Sequence, residues 1–140
     1  MIDEFSGKAS WLSNFFYAPI TYLGFQCQTN EHAFQLAKSV SYEEQAVVAA
    51  CISPGAAKRA GRKVTLRPDW EDVKDAVMME VTLLKFINNP VLRQQLLDTG
   101  DQRLVEGNKW GDIYWGVCKG CGRNQLGKTL MRAREMFRGM

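Results

Sequence analysis

Trp70, Val73, Val77, Val81 and Leu84 recur at spacings of three and four residues, the repeat of one face of an α-helix. Asp69 stands at the N-cap position, and the pattern continues to about Asn88. So long a helix with one apolar stripe has to be covered by its neighbours, because packing rather than propensity holds it together. Everything else in the chain must therefore supply that cover. With 140 residues, 46% of them apolar and 24% charged, the chain suits one soluble core, and a single domain over residues 1–140 is expected.

The remaining elements are short. Trp11 to Tyr17, Ile20 to Tyr22 and Phe25 to Gln28 read as a hairpin or a three-strand patch, with Pro19 limiting the pairing and Gly24 turning the chain. Thr29 or Asn30 caps a helix through Val40, and a second helix covers Tyr42 to Cys51. Ser53-Pro54 starts a third that Gly61 stops. Arg62 to Arg67 alternates polar with apolar and reads as a strand or an extended connector. Asn89-Pro90 opens a helix ending at Gly100, Leu104 to Glu106 is extended, and Asn124 caps a final helix. In that helix Leu126, Leu130, Ala133 and Phe137 face inward, while Lys128, Arg132, Arg134 and Arg138 face outward. The count gives a helix-rich α+β fold with a few short strands.

Several classes are excluded. No apolar run approaches the roughly 20 residues that span a bilayer, and no membrane partner is expected. The acidic start, Met1-Ile2-Asp3-Glu4, lacks a signal-peptide layout, so a cytoplasmic location is expected. A net charge of +3 suits an anionic ligand but falls short of a dedicated nucleic-acid binder. Cys118 and Cys121 form one Cys-x-x-Cys pair with no second pair, and His32 is the only histidine, so neither a metal nor a cofactor is expected.

Chemistry concentrates in two places. On the helix after Thr29, the polar residues Glu31, Gln35 and Lys38 line up at i, i+4 and i+7 among apolar neighbours, which suits either a wet cleft or a solvated stripe. The run Trp110-Gly111-Asp112-Ile113-Tyr114-Trp115-Gly116 is too rich in glycine for a helix and too aromatic for a linker. Its one acid lies between two indoles, either as a catalytic carboxylate or as the cap of a tight turn. Lys74, one turn from Trp70, is either a desolvated amine or a snorkelling partner of Glu71.

Taken in order, these stretches resemble one family. They are Ser13-Asn14-Phe15; Glu31-His32 with Gln35 and Lys38; Gly61-Arg62-Lys63-Val64 with Leu66-Arg67, Asp69-Trp70, Lys74 and Met78; Leu104 to Asn108 with Trp110-Gly111-Asp112 and Trp115-Gly116-Val117; and Gly122, Asn124, Leu126-Gly127 with Leu130-Met131. The pattern is similar to the NADAR, or YbiA-like, family and runs from about Phe5 to Arg134. The resemblance implies an N-glycosidase that cleaves between a ribose anomeric carbon and a nitrogen. The substrate it implies is ADP-ribosylated guanine in nucleic acid or a small ribosylated intermediate of riboflavin biosynthesis.

Cleaving such a bond builds positive charge on the sugar and negative charge on the departing base. Glu31 and Asp112 are the candidate carboxylates, expected to converge on the sugar's C1. One steadies the cation or activates water, and the other orients the base or hydroxyls. Phe15, Trp70, Trp110 and Trp115 are candidates to pack on the substrate, and Ser13, Asn14, Gln35 and Asn108 to hydrogen-bond it. Arg62 and Arg67 suit a phosphate. The resemblance also implies a lysine that forms an imine with opened ribose, either Lys38 or Lys74. Lys38 is preferred because Glu31 lies two turns earlier. A non-catalytic module binding ADP-ribose or NAD, and a scaffold whose aromatics are all core, are the competing readings. The oligomeric state is not legible.

Overall fold

The computed structural model describes residues 1–140 and is α+β, with six α-helices and four short strands. Its packing groups the residues into two compact units, one of residues 14–88 and one of residues 1–13 and 89–140.

The 14–88 unit opens with a hairpin of β1 (Tyr17–Tyr22) and β2 (Phe25–Thr29). Leu23 and Gly24 at its tip both have positive φ, the pair a two-residue turn requires. The ladder slips between Tyr17 and Ile20, where Pro19 has no N–H to give. Ala18, Ile20 and Tyr22 point inward. Four helices follow: α1 (Asn30–Leu36), α2 (Tyr42–Ala49), α3 (Pro54–Gly61) and α4 (Trp70–Ile87). Helix α4 is the long amphipathic helix, burying Trp70, Val77 and Val81 as expected and adding Met78, Thr82, Lys85 and Phe86. Asp69 makes no capping bond; its carboxylate takes the guanidinium of Arg67 instead. Residues 62–69 contain no strand.

Helix α1 stops at Leu36, short of Val40. Serine favours caps over helix interiors. Ser39 Oγ accepts the Ser41 N–H at 3.0 Å, and Ser41 Oγ accepts the Glu44 N–H at 3.3 Å to begin α2. The chain is thereby turned out of α1, and Val40 is left exposed.

In the other unit, residues 7–12 form a 3-10 helix, and the N-terminal segment lies along residues 103–105. There the Ile2 N–H donates to Arg103 O at 2.9 Å and the Val105 N–H to Ile2 O at 2.8 Å. Helix α5 (Pro90–Asp98) follows, then β3 (Gly107–Asn108) paired in parallel with β4 (Val117–Cys118), then α6 (Gln125–Arg138). Helix α6 buries Leu126, Leu130, Ala133 and Phe137. Arg134 is also buried, contrary to the expectation that it faces solvent. Its guanidinium donates to Thr99 Oγ1 at 2.9 Å and to the Gln102 carbonyl at 2.8 Å, tying α6 to the turn after α5. Asn124 is no side-chain cap. It sits at φ +54, its Oδ1 accepting the Glu106 N–H and its Nδ2 donating to Leu104 O, each at 2.9 Å.

Candidate active site

Strand β2 delivers the chain into α1 at Thr29, whose hydroxyl oxygen accepts the His32 N–H at 3.3 Å. The same hydroxyl lies 2.8 Å from His32 Nδ1, and His32 Nε2 lies 2.9 Å from the Cys51 carbonyl. A carbonyl only accepts, so Nε2 carries the hydrogen and Nδ1 accepts from Thr29. The sole histidine is thus fully engaged by the fold, its side chain enclosed.

All seven residues of α1 are buried, including Glu31 and Gln35. Gln35 Nε2 donates to Glu31 Oε1 at 3.0 Å, a bond across one helical turn, and since both side chains are buried they are not a solvated stripe. The Glu31 N–H donates to the Asn14 carbonyl at 3.1 Å, and Asn14 Nδ2 contacts Met78 Sδ at 3.4 Å, so Asn14 belongs beside the first turn of α1. Gln35 Oε1 is buried with no hydrogen-bond donor, an acceptor of the kind a ligand hydroxyl or N–H satisfies.

Helix α3 closes over this row. A Cβ at Gly61 would fall 2.0 Å from Gln35 Oε1. Gly61 is therefore less a helix stop than a bare patch of backbone that lets α3 approach the glutamine.

Lys38 lies just beyond α1 in the turn that ends it. Burial pushes its amine below the ordinary lysine range; Glu31 opposes that shift, while Arg62 and Lys58 reinforce it. Its carbonyl accepts the Arg67 N–H at 2.8 Å, which draws the connector after α3 across it. Lys58 is a cation that the sequence reading missed. Its spacing of four from Arg62, the residue that ends α3, was the available signal. Arg67 itself grips Asp69 through two bonds, of 2.6 and 3.0 Å.

The other expected contributors of this unit make contacts of their own. Trp70 is buried, its ring edge-on to Phe34 at 5.1 Å, as a core residue. The Lys74 amine reaches Glu71 at 2.5 Å, the snorkelling arrangement. Phe15 is exposed.

The second carboxylate is held within the 1–13 and 89–140 unit. Asn108 Oδ1 accepts the Asp112 N–H at 3.0 Å, and Asn108 Nδ2 donates to the Asp112 carbonyl at 2.8 Å. Asp112 Oδ1 accepts the N–H groups of Tyr114 at 3.1 Å and Trp115 at 2.9 Å. Asp112 therefore does cap a tight turn, with one carboxylate oxygen, and holds its other oxygen apart from those bonds. Trp115 packs edge-on to Tyr114 at 4.8 Å, whereas Trp110 is 65% exposed. Ser13 ends the 3-10 helix of this unit. A groove of about 670 Å³ borders Asn108 and is lined in part by Asp3, Glu4, Arg103, Lys109 and Lys119.

The fold and these groups define a helix-rich α+β protein in which a buried carboxylate is bonded to an amide on the same helix, with a desolvated amine in the turn beyond. The NADAR domain profile matches residues 3–138, and the chain belongs to the NADAR family. It is 41% identical over 118 residues to the N-glycosidase Npun_R5314 of Nostoc punctiforme, covering 80% of this chain and 75% of that one. It is 39% identical over 137 residues to the N-glycosidase YbiA of Escherichia coli, covering 96% and 81% of the two chains. The solution structure of that YbiA superposes with a TM-score of 0.86 at 35% identity, covering 99% of this chain and 87% of its own. A riboflavin biosynthesis protein of Vibrio vulnificus, VVA0006, is 36% identical over 128 residues, which make up 89% of this chain but 35% of that one. No helix is long and apolar enough to cross a membrane.

Proposed function

We propose that this N-glycosidase removes ADP-ribose from ADP-ribosylated guanine in nucleic acid. Its membership in the N-glycosidase class rests on its close relatives. The observation that carries the substrate reading is the groove beside Asn108, where Arg103, Lys109 and Lys119 outnumber Asp3 and Glu4. Such a surface suits a phosphate backbone running past the residue that holds Asp112.

Glu31 supplies the negative charge that an oxocarbenium-like sugar requires, and Gln35 orients it. Lys38 is the amine suited to imine formation, because burial favours its neutral, nucleophilic form. Its amine bonds to C1 as the C1–guanine bond breaks, and the guanine nitrogen leaves with the proton the amine gives up. The ribosylamine ring then opens to an imine, which water hydrolyses to return the amine and release ADP-ribose. Lys74, already engaged by Glu71, is the weaker candidate. Within its own unit Asp112 keeps one carboxylate oxygen apart from its turn bonds, and the exposed Trp110 offers a ring on which a base can stack. Arg62 with Lys58 serves the diphosphate in place of Arg67, which is committed to Asp69.

The second reading keeps the chemistry and takes a ribosylamino-pyrimidine phosphate. The riboflavin-related name of the Vibrio vulnificus relative favours it. Chromatography of products after mixing the protein separately with each substrate distinguishes them. Free ADP-ribose and a restored oligonucleotide support the first reading; turnover of the pyrimidine substrate alone overturns it.

A further inference from the structure

The Cys-x-x-Cys pair has no part in the chemistry above, yet the fold holds it in a specific geometry. The Cys118 N–H donates to the Cys121 carbonyl at 2.8 Å, and the Cys121 N–H donates back to Cys118 at 3.0 Å. The two residues are thus a directly opposed antiparallel pair. Lys119 and Gly120 turn the chain between them with φ of +52° and +78°, the mirror-image turn that closes a two-residue hairpin. The hairpin is pinned from below. A Cβ at Gly122 would lie 2.1 Å from the Gly116 carbonyl, so the returning strand rests directly on the outgoing one.

Opposed residues in a ladder project to the same face, and an opposed pair that exchanges both backbone bonds has its Cα atoms about 5.5 Å apart. That separation lies within the range a disulfide spans. The Cβ atoms of such a pair are farther apart than a relaxed disulfide prefers, so the bond twists the hairpin and is readily reduced. Both sulfurs are thiols here, with Cys121 exposed and Cys118 buried.

We propose that Cys118 and Cys121 form a reversible dithiol–disulfide site for low-molecular-weight disulfides such as glutathione disulfide. Cys121, the accessible sulfur, attacks as thiolate, joining one half of the small disulfide and expelling the other half as a thiolate. The Cys118 sulfur then attacks Cys121, displaces the second half and closes the four-residue loop. Two protein thiols and one small disulfide become one protein disulfide and two small thiols, so electrons and protons balance. The site bears on the enzyme because Cys118 pairs with Asn108 across β3 and β4, and Asn108 holds the backbone of Asp112.

The test equilibrates the reduced full chain with glutathione and glutathione disulfide at graded ratios, alkylates the remaining thiols and maps the peptides by mass. The expected result is a Cys118–Cys121 bond reversed by dithiothreitol, with Cys27 and Cys51 alkylated throughout. Cys118→Ser should arrest the reaction as a glutathione adduct on Cys121, and Cys121→Ser should leave Cys118 reduced. Full alkylation of both residues in the parent protein at every ratio overturns the proposal. So does a glutathione adduct on Cys121 that persists in the parent protein as it does in Cys118→Ser. The parent measurements decide the matter even where a serine variant fails to fold.

Discussion

Asp112 has a structural duty and a proposed chemical one, and two substitutions separate them. Its Oδ1 accepts two backbone N–H groups, from Tyr114 and Trp115. A hydrogen bond to a charged acceptor contributes roughly 1.5–3 kcal/mol when desolvated. Asp112 is half-exposed, so the two together are worth about 2–4 kcal/mol. Asp112→Ala forfeits that amount. Asp112→Asn keeps an oxygen in place at the neutral strength of roughly 0.5–1.5 kcal/mol per bond and should lose about half as much. Urea unfolding followed by tryptophan fluorescence measures both. Turnover behaves oppositely: the asparagine variant folds but lacks the charge, and kcat/KM should fall by about 10²–10⁴. An asparagine variant that is stable and retains turnover within about threefold would reduce Asp112 to a turn residue. Equal stabilities for the two variants would refute the hydrogen-bond arrangement itself.

Other expectations follow from the same geometry. Gly61→Ala should displace Gln35 from Glu31 and lower kcat by at least tenfold, with unfolding free energy reduced by about 1–3 kcal/mol as for other overpacked sites; steady-state kinetics beside denaturation check it. Asn124→Ala should cost roughly 2–5 kcal/mol, since it strands the Leu104 carbonyl and the Glu106 N–H and forces alanine to positive φ; a loss below about 0.5 kcal/mol would contradict this. Burial pulls the Lys85 amine down to about 7. Between that value and the ordinary lysine range the unfolded chain holds a proton the native one lacks, so stability should rise with pH from about 7 to 10. Lys85→Met should remove that slope in denaturation series across the range. If Lys38 reacts as a neutral amine, borohydride added during turnover should trap a sugar on Lys38, more efficiently as pH rises, and Lys38→Arg should trap none.

What the sequence disclosed was local. Ser53-Pro54 announced α3 and the three-and-four spacing announced α4, because caps and stripes are written in adjacent residues. The hairpin of β1 and β2 was legible from Gly24, and the alignment of Glu31 with Gln35 from a spacing of four. What escaped depends on partners distant in the chain. Asn124 reads as a cap until Leu104 and Glu106 are seen to take both ends of its amide. Arg134 reads as a solvated cation until the turn after α5 offers it a hydroxyl and a carbonyl. Arg67 looked free for a phosphate because the competition from Asp69 depends on how the connector folds. Gly61 looked like punctuation, and its importance comes from what lies beneath it. Asp112 as the cap of a tight turn was legible, because the two N–H groups it takes lie within three residues of it.

The central claim is that the carboxylate of Glu31 drives cleavage of the bond between ribose C1 and nitrogen. Single-turnover release of ADP-ribose from an ADP-ribosylated guanine oligonucleotide by Glu31→Gln tests it most directly, provided the variant's unfolding free energy matches the parent's. The account predicts a rate lower by about 10²–10⁴ with substrate still bound. A Glu31→Gln protein that releases ADP-ribose at the parent rate would contradict it.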